Sequence, residues 1–167
     1  GQVGALTTEQ LSSLSSGQVR SLTTAQVVAL TTEQVAALDV TSLTSAQVKA
    51  IETADLAVMT TAQIGGLSSG QVNALTTAQV VALTTEQISA LDVAGLTSAQ
   101  VKAIETEDLA VMTTAQIHGL STAQLQGLQA GQVGALTTEQ LSSLSSGQVR
   151  SLTTAQVVAL TTEQVAA

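Results

Sequence analysis

Leu30-Thr-Thr-Glu-Gln-Val-Ala-Ala37, followed at once by Leu38, is the stretch that decides the fold. Thr31 and Gln34 stand at the spacing of a capping box. The threonine hydroxyl accepts from the backbone N–H three residues on, and the glutamine reaches back to the threonine's own N–H. Leu30 before the cap and Val35 after it have the spacing of a hydrophobic staple. Val35 and Leu38 then fall on one helical face. One octad therefore encodes a complete helix start, with Thr31 as N-cap and Gln34 as N3.

A single long helix does not suit this repeat. Eight residues turn through about 800°, so a continuous helix would rotate its apolar stripe by about 80° per octad. The spacing predicts instead a helical segment of about six residues that ends and restarts at each Leu-Thr-Thr, closed by a small residue such as Ala29, Ala37, Gly66 or Gly119 where chains approach closely. Isolated helices need roughly 12–15 residues, so each segment depends on its neighbours. The fold class expected is all-α, a solenoid of very short capped helices, one per octad. The alternative is a β-solenoid, which the Thr and Val content and the possibility of stacked Gln ladders would favour. Against it, the apolar positions one and six have opposite parity and would lie on different faces of a strand, Ala is frequent, and no Asn-Gly or Pro turn is present.

Read from Leu6, the chain divides into nineteen octads and two pentads, Leu38-Asp-Val-Thr-Ser42 and Leu91-Asp-Val-Ala-Gly95. Residues 14–66 and 67–119 are 53-residue copies that differ at eight positions, and residues 131–167 repeat residues 1–37 without change. Residues 1–167 thus read as one continuous array, a piece of a longer pattern. Asp39 and Asp92 take the cap position of the pentads, where a single 3₁₀ turn fits and is expected to bend or re-phase the superhelix. Seven units per 53 residues divide by neither two nor three, so the repeat leaves the number of helices per coil open.

Composition narrows the function. There is no Phe, Trp, Tyr, Pro or Cys, so the core must come from Leu, Val, Ile, Ala and two Met, and disulfides, thiolate metal sites and cysteine nucleophiles are excluded. A net charge of −8 repels a phosphate backbone, which argues against nucleic-acid partners. No apolar run reaches the roughly 20 residues of a membrane span.

Candidate sites are few. Arg20, Lys49, Lys102, Arg150 and the only histidine, His118, all occupy octad position seven, read as the tolerant, solvent-facing position. Gly65 replaces His118 in the other copy, and no second histidine can join it in a metal or catalytic site. Glu105, Glu107 and Asp108 group three carboxylates as candidate calcium ligands. Acids in a first helical turn also suit the helix dipole, and Lys49 and Lys102 precede Glu52 and Glu105 as weak ion partners. No cofactor motif is present, and no serine is accompanied by a histidine and an acid, so an enzyme is not expected.

Leu-Thr-Thr-x-Gln-Val-x-Ala segments across the whole chain resemble the octad arrays of very large bacterial surface proteins, often labelled adhesins or haem-utilisation proteins. The resemblance implies an extracellular or cell-surface spacer, sheath or fibre element that self-associates into a fibre or lattice. It implies no binding residue, and the solitary His118 offers no haem ligand set. The alternative function is an adhesin-type binding module for protein, glycan or ice, using the repetitive solenoid face and its rows of Thr and Ser hydroxyls.

Overall fold

The computed structural model describes residues 2–166. Among these residues lie nineteen α-helices of five or six residues, one for each octad, together with three 3₁₀ turns and no strand. The β-solenoid alternative is therefore set aside. Positions one and six can both point inward only on a helical turn, and each octad is built so that they do.

The helix Thr32–Ala37 shows how. Thr31 is extended at φ −81° and ψ 163°, and Leu38 beyond the helix is extended again at φ −81° and ψ 142°. The extended residues between one helix and the next re-aim the chain. No described residue needs a positive φ to make the corner. Where the helix is one residue shorter, as in Thr24–Val28, the small residue Ala29 extends it as an αR cap.

Each unit packs against the unit three further along, so the chain winds as a solenoid with three units per turn. One side of it runs through Thr24–Val28, Ser45–Ala50, Ser69–Ala74, Val93–Gly95, Thr114–Gly119, Thr138–Ser142 and Thr162–Ala166, each lying on the one before. A pentad counts as a full unit here. Val40–Ser42 and Val93–Gly95 each form a single 3₁₀ turn in place of a helix. Each takes one unit's place with three fewer residues, so the turn that holds it is shorter in sequence while the three-unit packing continues through it, and the change of phase expected of the pentads does not occur. Because seven units leave one over after two turns, equivalent residues of the two 53-residue copies lie on different sides of the solenoid.

The core is a double file of aliphatic side chains. Position-six residues such as Val48, Ile64, Ile88 and Leu125 are fully buried, and position-one residues such as Leu38, Leu67 and Leu91 nearly so. Met59 and Met112 occupy position one and pack as leucine would. Coils approach each other closely enough that a Cβ on Gly134 would stand 2.9 Å from the Ala159 carbonyl.

Candidate functional site

The chemistry of this chain is concentrated in its glutamines. Thr31 N–H donates to Gln34 Oε1 at 2.9 Å, and Gln34 N–H donates to Thr31 Oγ1 at 3.3 Å, which is the expected capping box. The same reciprocal pair recurs in successive octads, for example Thr84 with Gln87 and Thr137 with Gln140. With Oε1 spent at the start of its own helix, the other half of the amide points across the turn.

Gln79 Nε2 donates to the carbonyls of Val48 at 3.1 Å and Ile51 at 2.7 Å, 31 and 28 residues earlier. The Ile51 carbonyl lies just past the end of Ser45–Ala50, where intrahelical donors have run out, and the Val48 carbonyl in the last turn also accepts from the Ile51 N–H at 3.2 Å. Gln87, Gln124, Gln140 and Gln156 repeat the pattern at the same separations. Where a pentad intervenes, the separations fall to 28 and 25, as for Gln100 on Val72 and Leu75. The difference is the three residues a pentad lacks. One side chain thus opens its own helix and closes another a full turn below. Most of these glutamines are buried, Gln79 and Gln100 at 2% exposure, and no buried polar side-chain atom among the described residues lacks a partner.

Two octads break the rule. Asp55 and Asp108 replace Gln at position five, with Glu52 and Glu105 at the caps, and neither cap makes a side-chain hydrogen bond. A carboxylate cannot donate to carbonyls. Asp55 instead accepts from Thr32 Oγ1 at 2.9 Å, a contact between neighbouring coils.

The calcium candidates are placed apart in character. Glu105 and Glu107 are exposed, Asp108 is buried, and among the described residues no three acidic or histidine side chains converge as metal ligands. Glu105 and Glu107 share with Lys102 and Gln129 an open surface hollow of about 500 Å³. Octad position seven is exposed as read, yet its polar residues are not idle. Arg20 Nε donates to the Ser42 carbonyl at 3.3 Å, Asn73 Nδ2 to Gly95 at 3.4 Å, and His118 Nδ1 lies 2.7 Å from the Ser143 carbonyl. His118 is therefore a brace between coils. The pentad carboxylate Asp39 accepts from the hydroxyls of Ser42 and Thr41, which hold it below the usual aspartate range.

The two-way use of glutamine was not anticipated from the sequence. The signal was there: seventeen of nineteen octads carry Gln at position five, and none carries Glu, although a capping box accepts either. A site that needed only an acceptor would not exclude glutamate.

No helix among the described residues is long and apolar enough to cross a membrane. Fold and site together define a helical solenoid repeat protein whose units are clamped turn to turn. The ALTTAQ repeat family model matches residues 3–40, 48–85, 66–93, 101–138 and 133–167, and the chain belongs to this family. No curated protein matches the sequence.

Proposed function

We propose that the chain is a non-catalytic structural element, an extracellular or cell-surface scaffold, spacer, sheath or fibre component whose number of octads sets its length. The observation that supports this most is the glutamine clamp. Its hydrogen bonds are spent within the array, so each added turn extends the same body by the same joint. The octad arrays of large bacterial surface proteins, which this chain resembles, supply the setting. Net charge −8 keeps such an element soluble and away from polyanions.

The test is length. Small-angle scattering and electron microscopy of this protein and of a chain with twice as many octads should show rods of one cross-section, the second about twice as long. Compact particles whose radius grows with the cube root of mass would refute the reading.

A further inference from the structure

We propose that the solenoid carries two built-in opening seams, 53 residues apart, at which its turns part first while the turns between them stay closed. The inference rests on the structural-array reading above and says where such an array yields.

The seams lie where the glutamine clamp is missing at two corners of a turn out of three. Between Leu6 and Leu136 the carbonyls at position one accept a glutamine amide from the turn above, except those of Leu14, Leu30, Leu67 and Leu83, which meet no such donor among the described residues. These exceptions are not scattered. Leu14, Leu22 and Leu30 follow the three helices of one turn, Thr8–Ser12, Ser16–Ser21 and Thr24–Val28, and Leu67, Leu75 and Leu83 follow the three of another, Thr61–Gly65, Ser69–Ala74 and Thr77–Val81. In each turn only the middle corner is held, by Gln47 on Leu22 and by Gln100 on Leu75, both at 2.6 Å. The cause is in the sequence. At the first open corner the unit that would supply the glutamine is a pentad, residues 38–42 or 91–95, which has none. At the second it is an octad with Asp55 or Asp108 in that place, and a carboxylate has no proton to give.

The neighbouring turns are complete. Leu38, Leu43 and Ile51 accept from Gln63, Gln71 and Gln79 at 3.1, 2.8 and 2.7 Å, and each position-one carbonyl from Leu91 to Leu136 is clamped. Two other side-chain bonds cross the second seam, Ser69 Oγ to Asp92 at 2.7 Å and Asn73 Nδ2 to the Gly95 carbonyl at 3.4 Å, and both are exposed, where water competes. Aliphatic packing runs on through the seam, with Ile64, Val72 and Val80 at most 1% exposed, and a Cβ on Gly95 would stand 2.9 Å from Ser69 Cα. The seam is therefore shut at rest and differs from its neighbours in its buried hydrogen bonds. Helices of five or six residues do not outlast the loss of a neighbour, so a parting at the seam frays the helices that face it.

Native-state hydrogen exchange at a series of low denaturant concentrations, read by mass spectrometry, tests this. Amides of residues 61–82 should exchange about tenfold faster than those of residues 114–127, which lie among clamped turns. Glu105→Thr with Asp108→Gln supplies a clamp to the second seam, and should slow exchange at residues 61–82 while leaving residues 8–29, at the first seam, unchanged. Gln100→Glu removes the last clamp of the second seam, and should speed exchange at residues 61–82 while leaving residues 114–127 unchanged. One common rate over residues 61–82 and 114–127, a repair that slows both seams alike or neither, or a Gln100→Glu protein that exchanges like the unaltered chain would overturn the proposal. Small-angle scattering separates this from the reading beneath it. A rod with uniform exchange would overturn the seams alone, whereas a compact particle would overturn the array reading as well.

Discussion

Gln10 and Gln140 sit in the same octad, Leu-Thr-Thr-Glu-Gln-Leu-Ser-Ser, once near each end of the chain. Their caps are alike. Thr7 N–H donates to Gln10 Oε1 at 2.9 Å and Thr137 N–H to Gln140 Oε1 at 2.8 Å. Their surroundings are not. Gln10 is exposed, while Gln140 is 2% exposed and donates to Leu109 at 2.8 Å and Met112 at 2.6 Å. Identical local sequence gives identical helix starts wherever it lies, because the capping box closes within four residues. Burial and the clamp belong to the coil next door. The comparison separates what an octad does for itself from what it does for its neighbours, and each part can be tested on its own.

The largest difference is expected from Gln→Glu at these two sites. Glutamate keeps the cap acceptor and loses the donor. At position 140 it sets a carboxylate against two carbonyls in a buried place, and Gln140→Glu should cost about 2–4 kcal/mol in chemical denaturation. Gln10→Glu should cost less than about 0.5 kcal/mol. Equal costs would mean that the clamp contributes nothing.

Next come Val27→Ala and Val157→Ala, in the identical octads Leu22–Ala29 and Leu152–Ala159. The first empties a buried space and should cost about 1–3 kcal/mol. The second removes a side chain 48% exposed and should cost less than about 1 kcal/mol.

A smaller gain should come from repairing a broken clamp. Glu52→Thr with Asp55→Gln recreates the consensus where Asp55 cannot donate, and should raise stability by about 1–2 kcal/mol over the native pair. A loss beyond that of the Thr32 contact would show that the acids serve the fold.

The smallest effect separates the two pentads. Asp39 has Thr41 and Ser42 beside it, whereas Asp92, next to Ala94 and Gly95, accepts from Ser69 Oγ at 2.7 Å across the coil. With its folded pKa lowered, Asp39 contributes stability that is full above its ordinary value and is lost as pH falls through the lowered one, from about pH 4 downward. Thr41→Ala with Ser42→Ala should move the Asp39 titration, followed by NMR, back toward the ordinary range and remove that part of the acid dependence.

The sequence carried the short-range features openly. The spacing Thr31 to Gln34, the staple from Leu30 to Val35 and the 80° drift per octad led directly to capped helices of about six residues. The pentads read as 3₁₀ turns because Asp39 and Asp92 left room for nothing longer. The coil count was hidden, since whether Gln79 meets Ile51 depends on the angle through which Leu75 and Thr76 turn the chain, which no residue type states. For the same reason Gln was read only as a cap, and His118 and Arg20 only as tolerated surface residues. Their partners lie more than twenty residues away, on the next turn.

Hydrogen exchange of the glutamine side-chain amides, resolved by NMR, measures the clamp without altering the protein. Nε2 protons of Gln79, Gln87, Gln100 and Gln140 should exchange at least tenfold more slowly than those of Gln10 and Gln18, because only the former are held between turns. A uniform, solvent-like rate at all of these glutamines would contradict the clamp and the three-unit turn built on it.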